Sequence, residues 1–300
     1  MYAREKEIYK VTAVGTLVNI ALTIFKFVAG FVGRSSAMVA DAVHSLSDLV
    51  TDAIIFIFVK AASKPIDRDH EYGHGKFETL ATLIVGCILI LVGLGIMFAG
   101  VKDCIAFFNG DKGERPRMIA LIAAILSIVL KEGVYRYTIH RGKKIESPIL
   151  IANAWHHRSD AFSSIATLVG VAGAMFLGEN GLILDPLASI VVSFYICKSG
   201  YDVVKPSIDE LLEKALPKET EKEIKQLLKS VKGIEGVHML KTRKIGTRLA
   251  IEAHTLMDGQ MSLNEAHQIA TLAERKLKKR FGSKTHIGIH MEPTKNKLST

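Results

Sequence analysis

The chain has 300 residues, of which 49% are hydrophobic and 23% are charged, and its mean hydropathy is +0.25. This average excludes a single soluble globule, which would be more polar, and a pure membrane bundle, which would carry fewer charges. A spanning helix needs about 20 apolar residues, so six helices leave enough chain for one small soluble domain. The net charge of +9 is concentrated after residue 205, where 18 Lys and Arg accompany 12 Asp and Glu.

Apolar segments in the first two thirds of the chain predict six membrane-spanning helices. Residues 11–32 carry one charge, Lys26, and residues 80–101 carry none. Four further segments qualify only with polar interruptions, and they are 36–59, 118–139, 149–176 and 182–204. Lys26 and the neighbours Lys131 and Glu132 are predicted to snorkel towards the membrane surface or to form structural pairs.

The distribution of basic residues predicts the orientation in the membrane. With both ends on one side, that side carries eleven Lys and Arg near the spans, and the opposite side carries five. We therefore expect cytoplasmic amino and carboxyl termini in a multi-pass protein of the cell (plasma or inner) membrane. A cleavable signal peptide is not expected, because the first apolar run is too long and lacks a small-residue cleavage site.

The segment after Pro206 has the composition of a water-soluble domain. Residues 219–231 and 263–277 show helical spacing of apolar side chains, whereas 249–256 alternate and 285–292 read as a final strand. The order helix, strand, strand, helix, strand predicts a small α+β domain with helices on one sheet face. We expect a six-helix transmembrane domain at 1–206 and a cytosolic domain at 207–300.

Ionisable residues interrupt the second and fifth predicted spans at helical spacing. Asp41, His44, Asp48 and Asp52 fall on one face of the second span, and Asn153, His156, Asp160 and Thr167 fall on one face of the fifth. An ionisable side chain at mid-bilayer costs about 2.5 to 3.5 kcal/mol, so these faces are not expected to meet lipid.

Both faces contain the unit His-x-x-x-Asp, formed by His44 with Asp48 and by His156 with Asp160. Residues four apart on a helix lie one turn apart, close enough to grip one small cation. Two imidazoles and two carboxylates suit four-coordinate Zn²⁺ and are acceptable to Fe²⁺, Mn²⁺ or Co²⁺. The alternative is that these side chains only hydrogen-bond one another and fix helix packing. Asp41 is an accessory residue that either takes part or only lines the path.

Four segments resemble the cation diffusion facilitator family. They are SAMVADAVHSLSD at 36–48, YGHGKFE at 72–78, WHHRSD at 155–160 and LDP at 184–186. The resemblance covers nearly the whole chain. It implies six transmembrane helices, a cytosolic metallochaperone-like domain of ferredoxin-like type, a homodimer, and export of divalent metal in exchange for protons. The family's transport site maps onto His44, Asp48, His156 and Asp160.

The resemblance also implies two further metal sites. Asp67, His70 and His74 match the family's loop site, although by themselves they also fit a solvated acidic turn. In the tail, alternation places His290 and Glu292 on one strand face, and a cluster with His238 and His254 from neighbouring strands is geometrically reasonable. The family's ion pair at the dimer level maps to Lys76, with Glu213 or Asp209 as the acidic partner.

The predicted function is efflux of a divalent cation, Zn²⁺ first, with Cd²⁺, Co²⁺, Fe²⁺ or Mn²⁺ as alternatives. Four protein ligands close the site, which favours carriage over catalysis, and an HExxH-like base is missing, so no enzyme is expected. The expected partners are metal ions, protons, lipid and a second copy of the chain, without nucleic acid or an organic cofactor. The alternative is a metal-sensing or metal-gated membrane protein without antiport.

Overall fold

A computed structural model describes residues 2–62, 64, 67–111, 113–145, 147–246 and 248–294. Within these residues the chain forms eight α-helices, one short 3₁₀ helix and three β-strands. It divides into two compact units, the first made of Met1–Ile54 and Ile84–Val203 and the second of Ile55–Leu83 and Val204–Thr300.

Six long helices account for most of the chain up to residue 211. They are α1 (Tyr2–Gly33), α2 (Ser36–Ala62), α3 (Gly75–Phe108), α4 (Met118–Lys144), α5 (Pro148–Phe176) and α6 (Leu184–Leu211), with the 3₁₀ helix at Glu179–Ile183. Helix α6 continues through Pro206, and the predicted domain division at 206/207 stays a prediction.

Five segments of the described chain are long and apolar enough to cross a membrane. They are Lys10–Gly33, Gly75–Phe108, Met118–Lys144, Asn153–Phe176 and Glu179–Leu211. The sixth predicted span coincides with α2, which has 27 residues but is not among these five. The helical membrane domain is therefore confirmed, and the count of six spans stays a prediction.

Small residues let the helices of the first unit approach closely, as is usual for helices packed in lipid. Its main core consists largely of alanines from α1, α2, α4 and α6. A Cβ added at Gly33 would lie 2.9 Å from the Cβ of Ala120, so this contact between α1 and α4 depends on the glycine.

The motif at 184–186 has a structural role at the start of α2. Asp185 Oδ1 accepts a hydrogen bond of 2.6 Å from Ser35 Oγ, and Oδ2 accepts one of 2.7 Å from the backbone N–H of Ser36. The first N–H groups of a helix lack partners within the helix, so the carboxylate of Asp185 caps α2. Its negative charge also interacts favourably with the positive end of the helix dipole. The capping fixes the helix that carries Asp41, His44 and Asp48.

The tail forms the predicted sequence of elements. These are α7 (Lys218–Lys229), β1 (Gly236–Ile245), β2 (Arg248–Met257), α8 (Leu263–Phe281) and β3 (His286–Pro293). The central strand β2 pairs antiparallel with β1 and parallel with β3. Ser262 and Glu265 form a capping box that begins α8. A small α/β domain with a three-stranded sheet is thus confirmed.

One face of this sheet is covered by the two helices. The domain core joins α7 and α8 to the odd-numbered positions of β2, through Ile224, Leu228, Ala273, Leu277, Ile251, Ala253 and Met257. Successive residues of a strand point to opposite faces, so Glu252 and His254 lie on the face away from the helices. That open face carries the histidines of the tail.

Candidate metal centres

The first centre lies between α2 and α5. His44 and Asp48 are four residues apart on α2, and Asp160 lies on α5. Each offers one ligand atom, and these three atoms all lie within 4.8 Å of one another. His44 is 8% exposed and Asp160 is 7% exposed, whereas Asp48 is half-buried, so two of the three ligands are enclosed by protein.

The Nδ1 atom of His44 is buried and has no hydrogen-bond partner. A buried polar atom without a partner costs about 1 to 3 kcal/mol, and such a cost is expected where the atom has a ligand to bind. The structure therefore brings together three of the four predicted ligands. The fourth, His156, lies on α5, but its side chain is outside the described residues.

Asp41 is next to this cluster but is not one of its three ligand atoms. It is fully buried, as is Lys26 on α1, and Lys26 Nζ lies 2.7 Å from Asp41 Oδ2. Ser163 Oγ and Ser164 Oγ on α5 donate to the same carboxylate at 3.1 and 3.0 Å. Of the two arrangements predicted for Lys26, snorkelling or a structural pair, the structure has the pair.

Three more charged residues of α4 and α5 have contacts that the sequence left open. Lys131 on α4 is 3% exposed and its Nζ donates to the backbone oxygen of Asp160 at 3.2 Å. Glu132 instead accepts from Arg136 at 2.8 Å. The guanidinium of Arg158 lies 4.7 Å above the ring of Tyr135 and donates to its hydroxyl at 3.2 Å.

The second centre is the loop before α3. Asp67 Oδ1 accepts from the backbone N–H of His70 at 2.8 Å, and Asp67 Oδ2 lies 3.1 Å from His74 Nε2. One ligand atom from each of Asp67, His70 and His74 lies within 4.8 Å of the others. His74 is nearly buried and its Nδ1 atom has no hydrogen-bond partner. The three predicted residues are together, and the backbone of the turn holds the carboxylate in place.

The third centre lies on the open face of the tail sheet. The strand register aligns His238 with His254 and His254 with His290, so three histidines form a row across the sheet. Glu292 Oε2 lies 2.8 Å from His238 Nε2, and Glu292 Oε1 lies 2.6 Å from His254 Nδ1. His238, His254 and Glu292 offer ligand atoms within 4.8 Å of one another. His290 is more distant, with Nε2 at 3.6 Å from Glu292 Oε1 and 65% of its side chain exposed.

The carboxyl group of Glu292 is held in its charged form. The hydrogen bond with His254 lowers its pKa, and the hydrogen bond and charge of His238 lower it further, against a smaller opposing effect of desolvation. Metal ions bind deprotonated carboxylates, so the histidines keep this ligand ready.

Lys76, on the first turn of α3, contacts Glu213 rather than the alternative acid. Lys76 Nζ donates to Glu213 Oε1 at 3.1 Å, whereas Asp209 pairs with Lys214 at 2.5 Å. The hydrogen bond and the charge of Lys76 lower the pKa of Glu213 below its usual value. The role of this contact in a dimer stays a prediction.

Two sequence models of known protein families match this chain. The sequence model described as the cation efflux transmembrane domain matches residues 12–212, and the one described as the cation efflux protein, cytoplasmic domain, matches residues 216–294. The chain belongs to the cation diffusion facilitator family. This is a family of divalent metal cation transporters and not of enzymes, and the match covers both the helical part and the tail.

Individual relatives in the facilitator family differ in length and in the metals they are named for. Metal tolerance protein C1 of Arabidopsis thaliana is 36% identical over 95% of this chain, which spans 62% of that protein's length. The manganese efflux system protein MneP of Bacillus subtilis is 31% identical, with 97% of each chain covered. The zinc form of a putative zinc transporter, CzrB, is a solved structure with 30% identity, covering 29% of this chain and 99% of its own, at a TM-score of 0.26.

The sequence did not place Lys26 beside the predicted site, and it did not single out Ser45, Ser163 or Ser164, which also lie there. Ser45 lies four residues after Asp41, and Ser163 and Ser164 lie one turn after Asp160, so helical spacing places them close to the facing carboxylates. The signal for Lys26 was its isolation, since it is the one charge in the span 11–32.

Proposed function

We propose that this facilitator exports a divalent metal cation from the cytoplasm in exchange for protons, by alternating access through the centre between α2 and α5. The observation that carries this proposal is the convergence of His44, Asp48 and Asp160, whose ligand atoms lie within 4.8 Å of one another, with His44 and Asp160 buried and Asp48 half-buried. His156, one turn before Asp160, is proposed as the fourth ligand.

Zn²⁺ is the proposed cargo because imidazole and carboxylate together are its common ligands. The same donors also accept Mn²⁺, Fe²⁺, Co²⁺ and Cd²⁺. The similarity to a protein named for manganese efflux makes Mn²⁺ the first alternative.

Proton exchange follows from the chemistry of the ligands. His44 and the carboxylates must be deprotonated to bind metal, so loading releases protons and protonation releases metal. Histidine titrates near neutral pH in its unperturbed form, which makes such an exchange feasible under cellular conditions. A proton gradient directed into the cell would therefore drive metal outwards.

The exit side has the charge expected for a cation path. A cavity of about 420 Å³ in the first unit is lined by the carboxylates of Asp103, Asp111, Glu114 and Asp185 at the amino-terminal end of α2. The proposed orientation, with six spans and cytoplasmic termini in the cell membrane, places this end outside. Arg34 also lines the cavity and pairs with Glu114, so the four carboxylates outweigh this positive charge, and a concave surface with an excess of negative charge raises the local concentration of cations.

The loop and tail centres are proposed to bind regulatory ions of the same kind. The histidine row lies on the sheet face that the two tail helices leave open, where a second copy of the chain can bring further ligands. We propose a homodimer in which the ferredoxin-like tail domains bind metal. The ion pair between Lys76 and Glu213 would stabilise the contact between the first turn of α3 and the segment after α6.

Flux through proteoliposomes tests the proposal. Vesicles that contain the full chain and a trapped zinc dye should accumulate Zn²⁺ when a pH gradient is imposed. Asp160→Asn should lower the rate by about 100-fold, because substituting even a residue that only hydrogen-bonds to a metal ligand lowers affinity or activity by 10–100-fold. The matched control is Asp202→Asn. Asp202 has an exposed carboxylate on α6, and this variant should transport at the wild-type rate. Zinc binding without gradient-driven flux would instead indicate a sensor, and normal flux by Asp160→Asn would disprove the assigned centre.

A further inference from the structure

Lys26 is the largest of the fully buried side chains and lies in a segment that otherwise has no charge. Lysine is almost never fully buried unless it is paired, because removing an ammonium group from water is costly. Its surroundings must therefore supply the interactions that water would otherwise make.

Those interactions come from three oxygen atoms. Lys26 Nζ lies 2.7 Å from Asp41 Oδ2, 3.0 Å from Ser45 Oγ and 3.2 Å from Ser164 Oγ. An ammonium group has three N–H donors, so each donor has one oxygen acceptor. Asp41 itself is held in place by hydroxyl donors from Ser163 and Ser164.

These oxygens belong to the helices that form the transport centre. Asp41 and Ser45 flank His44 on α2, and Ser163 and Ser164 follow Asp160 on α5. A carboxylate is also the ligand type that hard divalent cations prefer, and the serine hydroxyls beside it offer further oxygen atoms. The same helix pair thus carries one centre with imidazole and, one turn away, one with oxygen only.

We propose that Asp41, Ser45 and Ser164 form a second cation site, and that Lys26 fills it with its own ammonium as a tethered cation. The tethered charge neutralises Asp41 and keeps hard divalent ions such as Mg²⁺ and Mn²⁺ from lodging beside the transport centre. An exported metal ion that leaves His44 and Asp160 is then not captured by the next carboxylate on its path.

Removing the tethered charge should open the site to a real ion. We choose Mn²⁺ as the probe because free and bound Mn²⁺ are counted directly by electron paramagnetic resonance. The purified full chain with Lys26→Met should bind one more Mn²⁺ per chain than the wild type. The extra ion should disappear in Lys26→Met with Asp41→Asn, and the control Lys102→Met, which removes an exposed lysine of α3, should leave the count unchanged.

The count does not depend on transport, so it separates this proposal from the proposed function. In a chain whose transport centre carries Asp160→Asn, Lys26→Met should still add one ion. Loss of flux in Asp160→Asn tests the first centre, and the added ion tests the second.

Lys26→Met leaves the carboxylate of Asp41 buried without its cation, and the variant is expected to need metal for stability. Mn²⁺ should then raise its thermal unfolding temperature more than that of the wild type, an effect absent when Asp41→Asn is added. Lys26→Gln, which keeps a hydrogen-bond donor, provides a second chain for the same count. If neither variant gains an ion or a Mn²⁺-dependent rise in stability, Lys26 and Asp41 are only a brace between helices and the proposal is wrong.

Discussion

Glu292 bridges two imidazoles in the tail before any ion arrives. Its two carboxylate oxygens contact His238 and His254, so one side chain fixes the separation of two prospective ligands. The rings of His238 and His254 have their centroids 5.3 Å apart, with neighbouring backbones held by the strand register. Ligands that are already in place lose less conformational entropy on binding, which favours affinity.

The lowered pKa of Glu292 gives the tail a definite dependence on pH. A carboxyl group with a depressed folded-state pKa stabilises the fold above its ordinary pKa of 4.5, and this contribution is lost as pH falls through the depressed value. In the metal-free full chain, Glu292→Gln should therefore reduce hydrogen-exchange protection of β2 and β3 at pH 6, with the difference shrinking as the pH is lowered below 4.5.

The control for this comparison is Glu219→Gln, since Glu219 is exposed on α7, away from the histidine face. It should match the wild type at every pH measured. Equal hydrogen-exchange protection of Glu292→Gln and the wild type at pH 6 would contradict the assigned hydrogen bonds.

Between elements, the membrane helices depend on positions without side chains. Helix α5 carries Gly170 where it meets the beginning of α6, and a Cβ added there would lie 2.9 Å from the backbone oxygen of Leu184. Backbone atoms yield less than flexible side chains. A side chain at this position would therefore force α5 and α6 apart and weaken their packing. Gly133 on α4 has nothing within 4 Å of the same position and is open.

These two glycines make a matched test of helix packing. Gly170→Ala should destabilise the full chain by about 1 to 3 kcal/mol through overpacking, lowering its thermal unfolding temperature in detergent. Gly133→Ala should be neutral or stabilising by up to about 1 kcal/mol, because alanine is the better helix former. Equal effects of the two substitutions would show that the contact between α5 and α6 does not limit stability.

Helical spacing was sufficient to find three residues of the proposed transport centre because the predicted ligands repeat at fixed offsets on two helices. It placed His44 and Asp48 one turn apart and Asp160 on the facing helix, as the structure has them. It could not choose between two states of Lys26, since snorkelling and burial differ only in the tertiary position of Asp41. The choice of Glu213 over Asp209 likewise depends on where α6 ends, which composition does not reveal.

The tail shows the same limit in a sheet. Alternation predicted the face of His290 and Glu292, and the strand register then put three histidines in one row. The irregularity in β1 between His238 and Lys241, with Met239 at a φ of 46°, has no glycine or other turn residue to announce it. A bulge of this kind redirects side chains. The sequence therefore could not predict where the side chain of His238 lies relative to Glu292.

For the whole molecule, an even or odd number of membrane spans decides whether the amino terminus and the tail lie on the same side of the membrane. The described chain contains five candidate spans, and α2 is the sixth helix of sufficient length. Its polar face carries Asp41, His44 and Asp48, which contact residues of α1 and α5 rather than standing alone in lipid. Ionisable residues that face neighbouring helices rather than lipid add less to the cost of crossing the membrane.

Labelling from each side of the membrane tests this count. With six crossings the amino terminus and the tail lie on one side, and with five they lie on opposite sides. We expect single cysteines at Arg4→Cys and Ser283→Cys, in a chain with Cys87, Cys104 and Cys197 replaced by alanine, to react with an impermeant maleimide only in inside-out vesicles. Labelling from opposite faces would mean that α2 does not cross, and His44 and Asp160 would then have no common path through the bilayer.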